Sequence, residues 1–199
     1  MLNVDFCLLL YKNVVISLHK HLEKRRRQKL NNNYNRIEKA FKNYKNILKL
    51  NNDKFITLDR WLEKESNIFI KETINNLNKK YPKFKRGQII KVDFGINIGS
   101  ELSHTHFAIV LNSDDSLYND NITVIPITSK SGYKKIPIGK ILKEAIPKTE
   151  KYNLDCYAYL TQIKTISKNR ILKNNINYIC DKNILDLIDK NIINYLTKS

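Results

Sequence analysis

The spacing of apolar residues gives the chain two textures. Up to about residue 82 they recur at three- and four-residue steps: Ile37, Phe41, Tyr44, Ile47 and Leu48, then Trp61, Ile68, Phe69 and Leu77. That period predicts helices, because about 3.6 residues per turn brings such positions onto one face. Asn31-Asn32-Asn33 and Asn51-Asn52-Asp53 are the expected breaks, and Thr57 with Asp59 is the expected cap of the next helix. Leu58-Asp59-Arg60-Trp61-Leu62 reads as an apolar anchor for a partner surface.

Tyr81-Pro82 marks a boundary, since proline disfavours helix in the residue before it. From Lys83 the runs become short and β-rich. Gln88–Phe94 alternates as a half-buried strand does, and Phe107–Leu111 is apolar on both faces, as in a central strand. Ile122–Ile127 is a third run, with Pro126 indicating a bulge or an edge. Tyr133–Ile138 and Tyr157–Ile163 follow, separated by a loop or short helix over 139–155. Ile184, Leu187, Ile188 and Ile192 share one face of a terminal helix behind an Asp181 N-cap. The expected fold is α+β: a helical extension over 1–82, then a small, strongly bent barrel with a closing helix over 83–199.

Composition sharpens this. A chain of 199 residues with 42% hydrophobic residues accommodates one domain plus an extension, or two small units. Only 5 Gly and 4 Pro exclude collagen-like and Pro/Gly-rich disordered chains. The net charge of +17 excludes an acidic calcium buffer and favours a polyanionic partner: nucleic acid, an anionic membrane surface or an acidic protein. Part of it reflects a general abundance of Asn, Lys and Ile. The first texture holds 18 Lys+Arg and 8 Asp+Glu, net +10; the second holds 18 and 11, net +7.

Cys7, Cys156 and Cys180 are odd in number, lack C-x-x-C spacing and lie far from histidine in the sequence. This argues against a disulfide scaffold and a structural zinc site, and fits a reducing, cytoplasmic setting. Residues 1–18 are rich in Leu and Val but interrupted by Asp5 and Lys12, with no basic leader and no A-x-A site. They predict a buried or interface helix rather than a signal peptide or membrane span. The cluster Lys24-Arg25-Arg26-Arg27 keeps an interfacial, lipid-facing reading open.

Five blocks of the second texture, in order, resemble one family. Arg86-Gly87-Gln88-Ile89-Ile90-Lys91-Val92-Asp93-Phe94 is similar to the opening strand of MazF/PemK-type toxins, and Gly99-Ser100-Glu101 to the glycine-anchored loop after it. Phe107–Asn112, Val124–Ser129 and Leu160–Ser167 resemble the second, third and late strands. The resemblance implies an SH3-like barrel, a homodimer, metal-independent cleavage of single-stranded RNA without the ribosome, and a cognate acidic antitoxin over the RNA groove. It requires no cofactor and does not extend to residues 1–82. It also implies two catalytic positions, an arginine opening the second strand and a threonine closing the third. The threonine is Thr128; the arginine position falls on His106, followed by Phe107 where the family has proline.

The chemistry accommodates that exchange. Cleavage needs a deprotonated 2′-OH, a stabilised phosphorane and a protonated leaving group. Arginine serves mainly through charge and hydrogen bonding, whereas histidine, with a pKa near ~6.5, accepts or donates a proton at cellular pH. Thr128 is placed to donate to a non-bridging phosphate oxygen. Lys130, Lys164 and Arg86 are the candidates to face developing charge.

Gly99, Ser100 and Glu101 either contact bases or form a structural turn; Gln162 either reads a base edge or faces solvent. Phe94, Tyr133 and Tyr157 are core residues or stacking platforms. His104 shares a strand face with His106, which is half a metal site with no third ligand in sight, and His104 joins the RNA-binding candidates. His19 and His21 read as solvated. Asp114-Asp115 reads as turn chemistry. Two further functions compete with the nuclease: a basic barrel that only holds RNA or protein, and a protein bound to membranes through residues 1–30, although no stable membrane association is expected.

Overall fold

The structure is a computed structural model that describes residues 4–50, 52–74, 80–172 and 176–197, with side chains from Lys20 onward. Its contacts divide the chain into two compact units, Met1–Ile56 and Thr57–Ser199. The expected division at residue 82 therefore lies inside the second unit.

The first unit is one long helix, α1 (Val4–Leu48), and a 3-10 turn, Asp53–Phe55. The asparagine run at 31–33 does not break α1. Asparagine is a mediocre helix former, at most about 0.7 kcal/mol worse than alanine, and neither Gly nor Pro stands nearby. The second expected break is real: the helix ends at Leu48, and Asn52 caps the 3-10 turn by accepting the Lys54 N–H at 2.9 Å. The side chains of residues 1–19, including Cys7 and His19, lie outside the described residues, and with them the expected buried face of 1–18. His21 is exposed. Among the described residues no helix is long and apolar enough to cross a membrane.

The second unit opens with α2 (Leu58–Ile74). An antiparallel sheet follows, of β1 (Ile89–Asp93), β2 (Thr105–Val110), β3 (Asn121–Thr128), β4 (Lys135–Pro137), β5 (Tyr157–Tyr159), β6 (Lys164–Ser167) and β7 (Ile171–Leu172). The short α3 (Ile141–Ala145) follows β4, and α4 (Lys182–Thr197) closes the chain. The helix expected at the C-terminus is there, with the Asp181 carbonyl accepting the N–H groups of Ile184 and Leu185.

The strand order is β4-β5-β3-β2-β1-β7, with β6 also paired to β3. The sheet is open: the short end strands β4 and β7 do not pair with each other among the described residues, so the hydrogen-bonded ladder does not close into the expected small, strongly bent barrel. β3 organises it. One edge pairs with β2 through Val124, Ile125 and Pro126. The other takes β6 along Asn121–Val124 and β5 at Ile127–Thr128. Pro126 falls in the gap between those last two pairings, where a residue without an N–H is tolerated in a central strand.

Both sheet faces are buried. One carries Ile89, Ile109, Ile125 and Ile127 against Ile141 of α3 and Ile188 of α4. The other carries Ile90, Val92, Ala108, Val110, Ile122 and Val124, packed with Phe84, Leu102 and Ile171. This is why β2 lacks polar alternation.

A buried ion pair ties the segment after β6 to the β2–β3 connection. Lys168 and Asp115 have 0% side-chain exposure. The Lys168 ammonium donates to both Asp115 carboxylate oxygens at 2.8 Å, to the Pro82 carbonyl at 3.0 Å and to the Ser116 carbonyl at 3.1 Å. Asp115 also accepts the Phe84 N–H at 2.9 Å. It is thus an internal anchor and more than turn chemistry. Burial pushes the Asp115 pKa up, but the hydrogen bonds from Lys168 and Phe84 outweigh it and hold the carboxyl below its ordinary 3.8.

Removing one partner leaves the other charged and unpaired, so Lys168→Met is expected to lower the unfolding free energy in urea by about 3–5 kcal/mol. The depressed Asp115 pKa makes its contribution fully present above 3.8 and lost as pH falls below it. That acid-dependent increment should be missing in Asp115→Asn.

Candidate functional site

The β1–β2 connection, residues 94–104, is a fastened loop. The Asn97 side-chain amide donates to the Phe94 carbonyl at 3.0 Å and the Leu102 carbonyl at 2.7 Å, and its backbone N–H donates to Ser103 Oγ at 2.9 Å. Gly99 turns the loop at φ +60. His104 has φ +70, a left-handed conformation uncommon outside glycine. Its backbone is bonded in both directions, donating to the Gly95 carbonyl at 2.6 Å and accepting from Phe94 N–H at 2.9 Å.

The segment leading into β6 grips this loop. Gln162 Oε1 accepts the Leu102 N–H at 2.9 Å, and its amide nitrogen donates to the Ser100 carbonyl at 3.4 Å. Lys164 pairs with Glu101 at 3.2 Å, half-exposed. Gly99, Ser100, Glu101, Gln162 and Lys164 therefore come together as the sequence grouped them. Gln162 spends both ends of its amide on loop backbone.

Val92 faces His106 across β1–β2, and the β2–β3 ladder ends at the Ala108–Pro126 pair, two residues from His106 on one strand and two from Thr128 on the other. The His106 Nε2 lies 3.0 Å from the Ser103 carbonyl, and its ring meets Phe94 edge-on at 6.3 Å. Burial lowers the His106 pKa from 6.5; the Ser103 and Ile127 carbonyls act against this, the nearby His104 adds to it, and the net shift is downward. The Ile127 carbonyl immediately precedes Thr128, which brings the ring to the end of β3. Thr128 Oγ1 accepts the Lys130 backbone N–H at 3.2 Å, leaving its own hydroxyl hydrogen to donate. Lys130 is exposed.

Three candidates stand apart from stacking or catalytic roles beside His106 and Thr128. Arg86 bonds the Leu111 carbonyl and pairs with Asp189 of α4, so the structure does not bring it to the cluster. Phe94 is core, and Tyr133 is exposed on the β3–β4 connection. Tyr157 is half-buried and faces Thr128 across β3–β5. Cys156 and Cys180 are buried thiols pushed up by desolvation, Cys180 to about 12, which makes them poor nucleophiles. Among the described residues no three His, Cys, Asp or Glu side chains group as metal ligands.

The apolar anchor read in the sequence meets this same loop. Trp61 is buried, its ring lies against Gly95, and the Arg170 guanidinium sits 4.9 Å over it. Arg170 also donates to the Phe94 carbonyl at 3.1 Å. Lys64 pairs with Asp93, Glu72 accepts from Asn169 at 2.9 Å, and Thr57 Oγ1 lies 3.3 Å from His104 Nδ1. Thr57 occupies the capping position, its carbonyl accepting the Trp61 N–H, but its hydroxyl is turned to His104. Sequence reasoning marked Trp61 but not its partner, and missed Asn97, Lys64 and Arg170. The one available signal was an Asn beside the Gly99 turn.

Residues 85–196 match the family model for the PemK-like, MazF-like toxin of type II toxin-antitoxin systems. No curated protein matches the chain. Similar solved structures include MazF from Deinococcus radiodurans, at 14% identity over 59% of this chain and 99% of that one, TM-score 0.44. Mycobacterium tuberculosis toxin MazF-mt6 follows at 15% identity over 56% and 98%, TM-score 0.40. A mycobacterial endoribonuclease in complex with its cognate antitoxin shares 13% identity over 62% and 98%, TM-score 0.40.

Gly95 has φ +78, and a Cβ there would lie 2.4 Å from the Trp61 ring. Gly95→Ala is therefore expected to displace the indole and to cost roughly 1–3 kcal/mol by overpacking. Trp61 is the sole tryptophan, so its emission should shift to the red and report the displacement directly.

Proposed function

The chain belongs to the PemK-like, MazF-like toxins of type II toxin-antitoxin systems, and from that membership we propose that it cleaves single-stranded RNA without a metal ion. The observation carrying this is the His106 imidazole at the Ile127 carbonyl, next to Thr128 and just beyond the last β2–β3 pair. His106 takes the proton of a ribose 2′-OH, whose oxygen attacks the adjacent phosphorus. The P–O5′ bond breaks, the 5′-oxygen takes a proton from water while the imidazolium of His106 returns its proton to solvent, and the products end in a 2′,3′-cyclic phosphate and a 5′-OH. Thr128 donates to a non-bridging oxygen as charge builds on it. Lys130, two residues on and exposed, is the cation nearest Thr128 in the chain; Lys164, paired with Glu101, borders the loop instead. Burial favours the neutral imidazole, the form a base requires.

Ser100, Glu101 and His104, on the β1–β2 loop, are the further RNA contacts, with Gln162 holding that loop rather than reading a base. The partner is a cognate acidic antitoxin that neutralises the positive surface of residues 83–199, and the working unit is a homodimer. A competing reading, a barrel that binds RNA without cutting it, rests on histidine replacing the family's arginine and predicts salt-sensitive binding with no turnover.

Purified protein in EDTA should cut a long single-stranded RNA into discrete fragments. His106→Ala is expected to lower kcat/KM by about 10²–10⁴, and Thr128→Ala by roughly 10–100-fold. A downward-shifted His106 stays deprotonated below 6.5, so the rate should hold level to that pH and fall only further into acid. Full cleavage by His106→Ala, or none by wild type, would sink the nuclease reading.

A further inference from the structure

Between α2 and the β1–β2 loop lies a cleft of about 390 Å³, lined by neither His106 nor Thr128. Its polar lining comprises Thr57, Arg60, Lys64, Asp93, His104 and Thr105. Three of these come from α2 or the residue before it, beyond the 85–196 segment shared with the toxin family. Lys64 is neutralised by Asp93. Arg60 is exposed and has no partner among the described residues, so the cleft holds one uncompensated guanidinium beside the Thr57–His104 contact. The cleft adjoins His106, since His104 and His106 are two residues apart and His104 acts on the His106 charge.

We propose that this cleft is a phosphate subsite, in which Arg60 binds a backbone phosphodiester of single-stranded RNA flanking the one that His106 engages. Thr57 and His104 line its wall, and Asp93 keeps Lys64 from competing with Arg60 for the anion. The ligand is sequence-independent phosphate, because the cleft offers a fork of guanidinium donors and few groups to read base edges. The inference rests on the nuclease reading only for the identity of the strand.

Binding is measured with an all-2′-deoxy oligonucleotide, which lacks the attacking hydroxyl and so reports affinity apart from catalysis. Arg60→Ala is expected to weaken binding several-fold and Arg60→Glu further, with Arg60→Lys retaining part. Loss of one phosphate contact should reduce the log–log salt slope by about 0.7. On RNA, KM should rise with kcat unchanged. Unaltered affinity and slope in Arg60→Glu would overturn the subsite. Binding by wild type without RNA cleavage would overturn the nuclease reading while leaving the subsite standing.

Discussion

The enclosed Lys168 ammonium is the constraint on which the rest of the second unit depends. A charge with no exposure survives only if its hydrogens are satisfied from inside, and Lys168 finds its acceptors on Asp115, Pro82 and Ser116. Those acceptors come from the segment entering β1 and from the β2–β3 connection, so one side chain fixes two crossings. Its backbone N–H bonds the Asp120 carbonyl at 2.8 Å, extending the β3–β6 register from Asn121–Ser167 onward. The start of β6 then arrives where Gln162 and Lys164 reach the β1–β2 loop. The floor of the site is thus set by a contact on the far end of the strand that carries it.

The fold was legible wherever burial is regular along the chain. β1, β2, β3 and α4 stand where alternation, double-sided apolarity and helical period put them, because each buries a face of constant chemistry. Two misreadings share another cause. The asparagines at 31–33 look like a break only if local preference decides, and a few tenths of a kcal/mol each does not stop a helix free of Gly and Pro. Pro126, read as a bulge or an edge, stands in a central strand at the point where β3 changes partners. The open ladder was not legible, since closure depends on how the two- and three-residue strands β7 and β4 meet, and so short a run has no pattern.

The candidate site was legible as a set of residues and less so as a division of labour. His106 and Thr128 come to the same end of the sheet because each lies two residues beyond the Ala108–Pro126 pair. Gln162 and the Glu101–Lys164 pair are near the loop as grouped, yet their bonds show a clamp on backbone. Arg86 illustrates the limit: a cation at the mouth of a strand is as well placed for an internal carboxylate as for RNA, and Asp189 lies 103 residues away in sequence. Trp61 announced a packing surface, but nothing in the sequence tied it to Gly95.

That last contact bears on the surroundings of His106. An arginine there would bring a permanent charge and need little support. An imidazole must sit at a fixed distance from the groups that set its protonation, here the Ser103 and Ile127 carbonyls opposing the effect of burial. Ser103 and the left-handed His104 lie on the loop that leads into β2, so any looseness between Phe94 and His104 would alter the ring's surroundings and its proton affinity together. The loop is closed from one side by Gln162 and Asn97, and from the other by Trp61, Thr57 and Arg170. The second group depends on α2, which precedes the segment shared with the toxin family. In this chain His106 and the helix that steadies its loop therefore belong to one device assembled from two stretches of sequence.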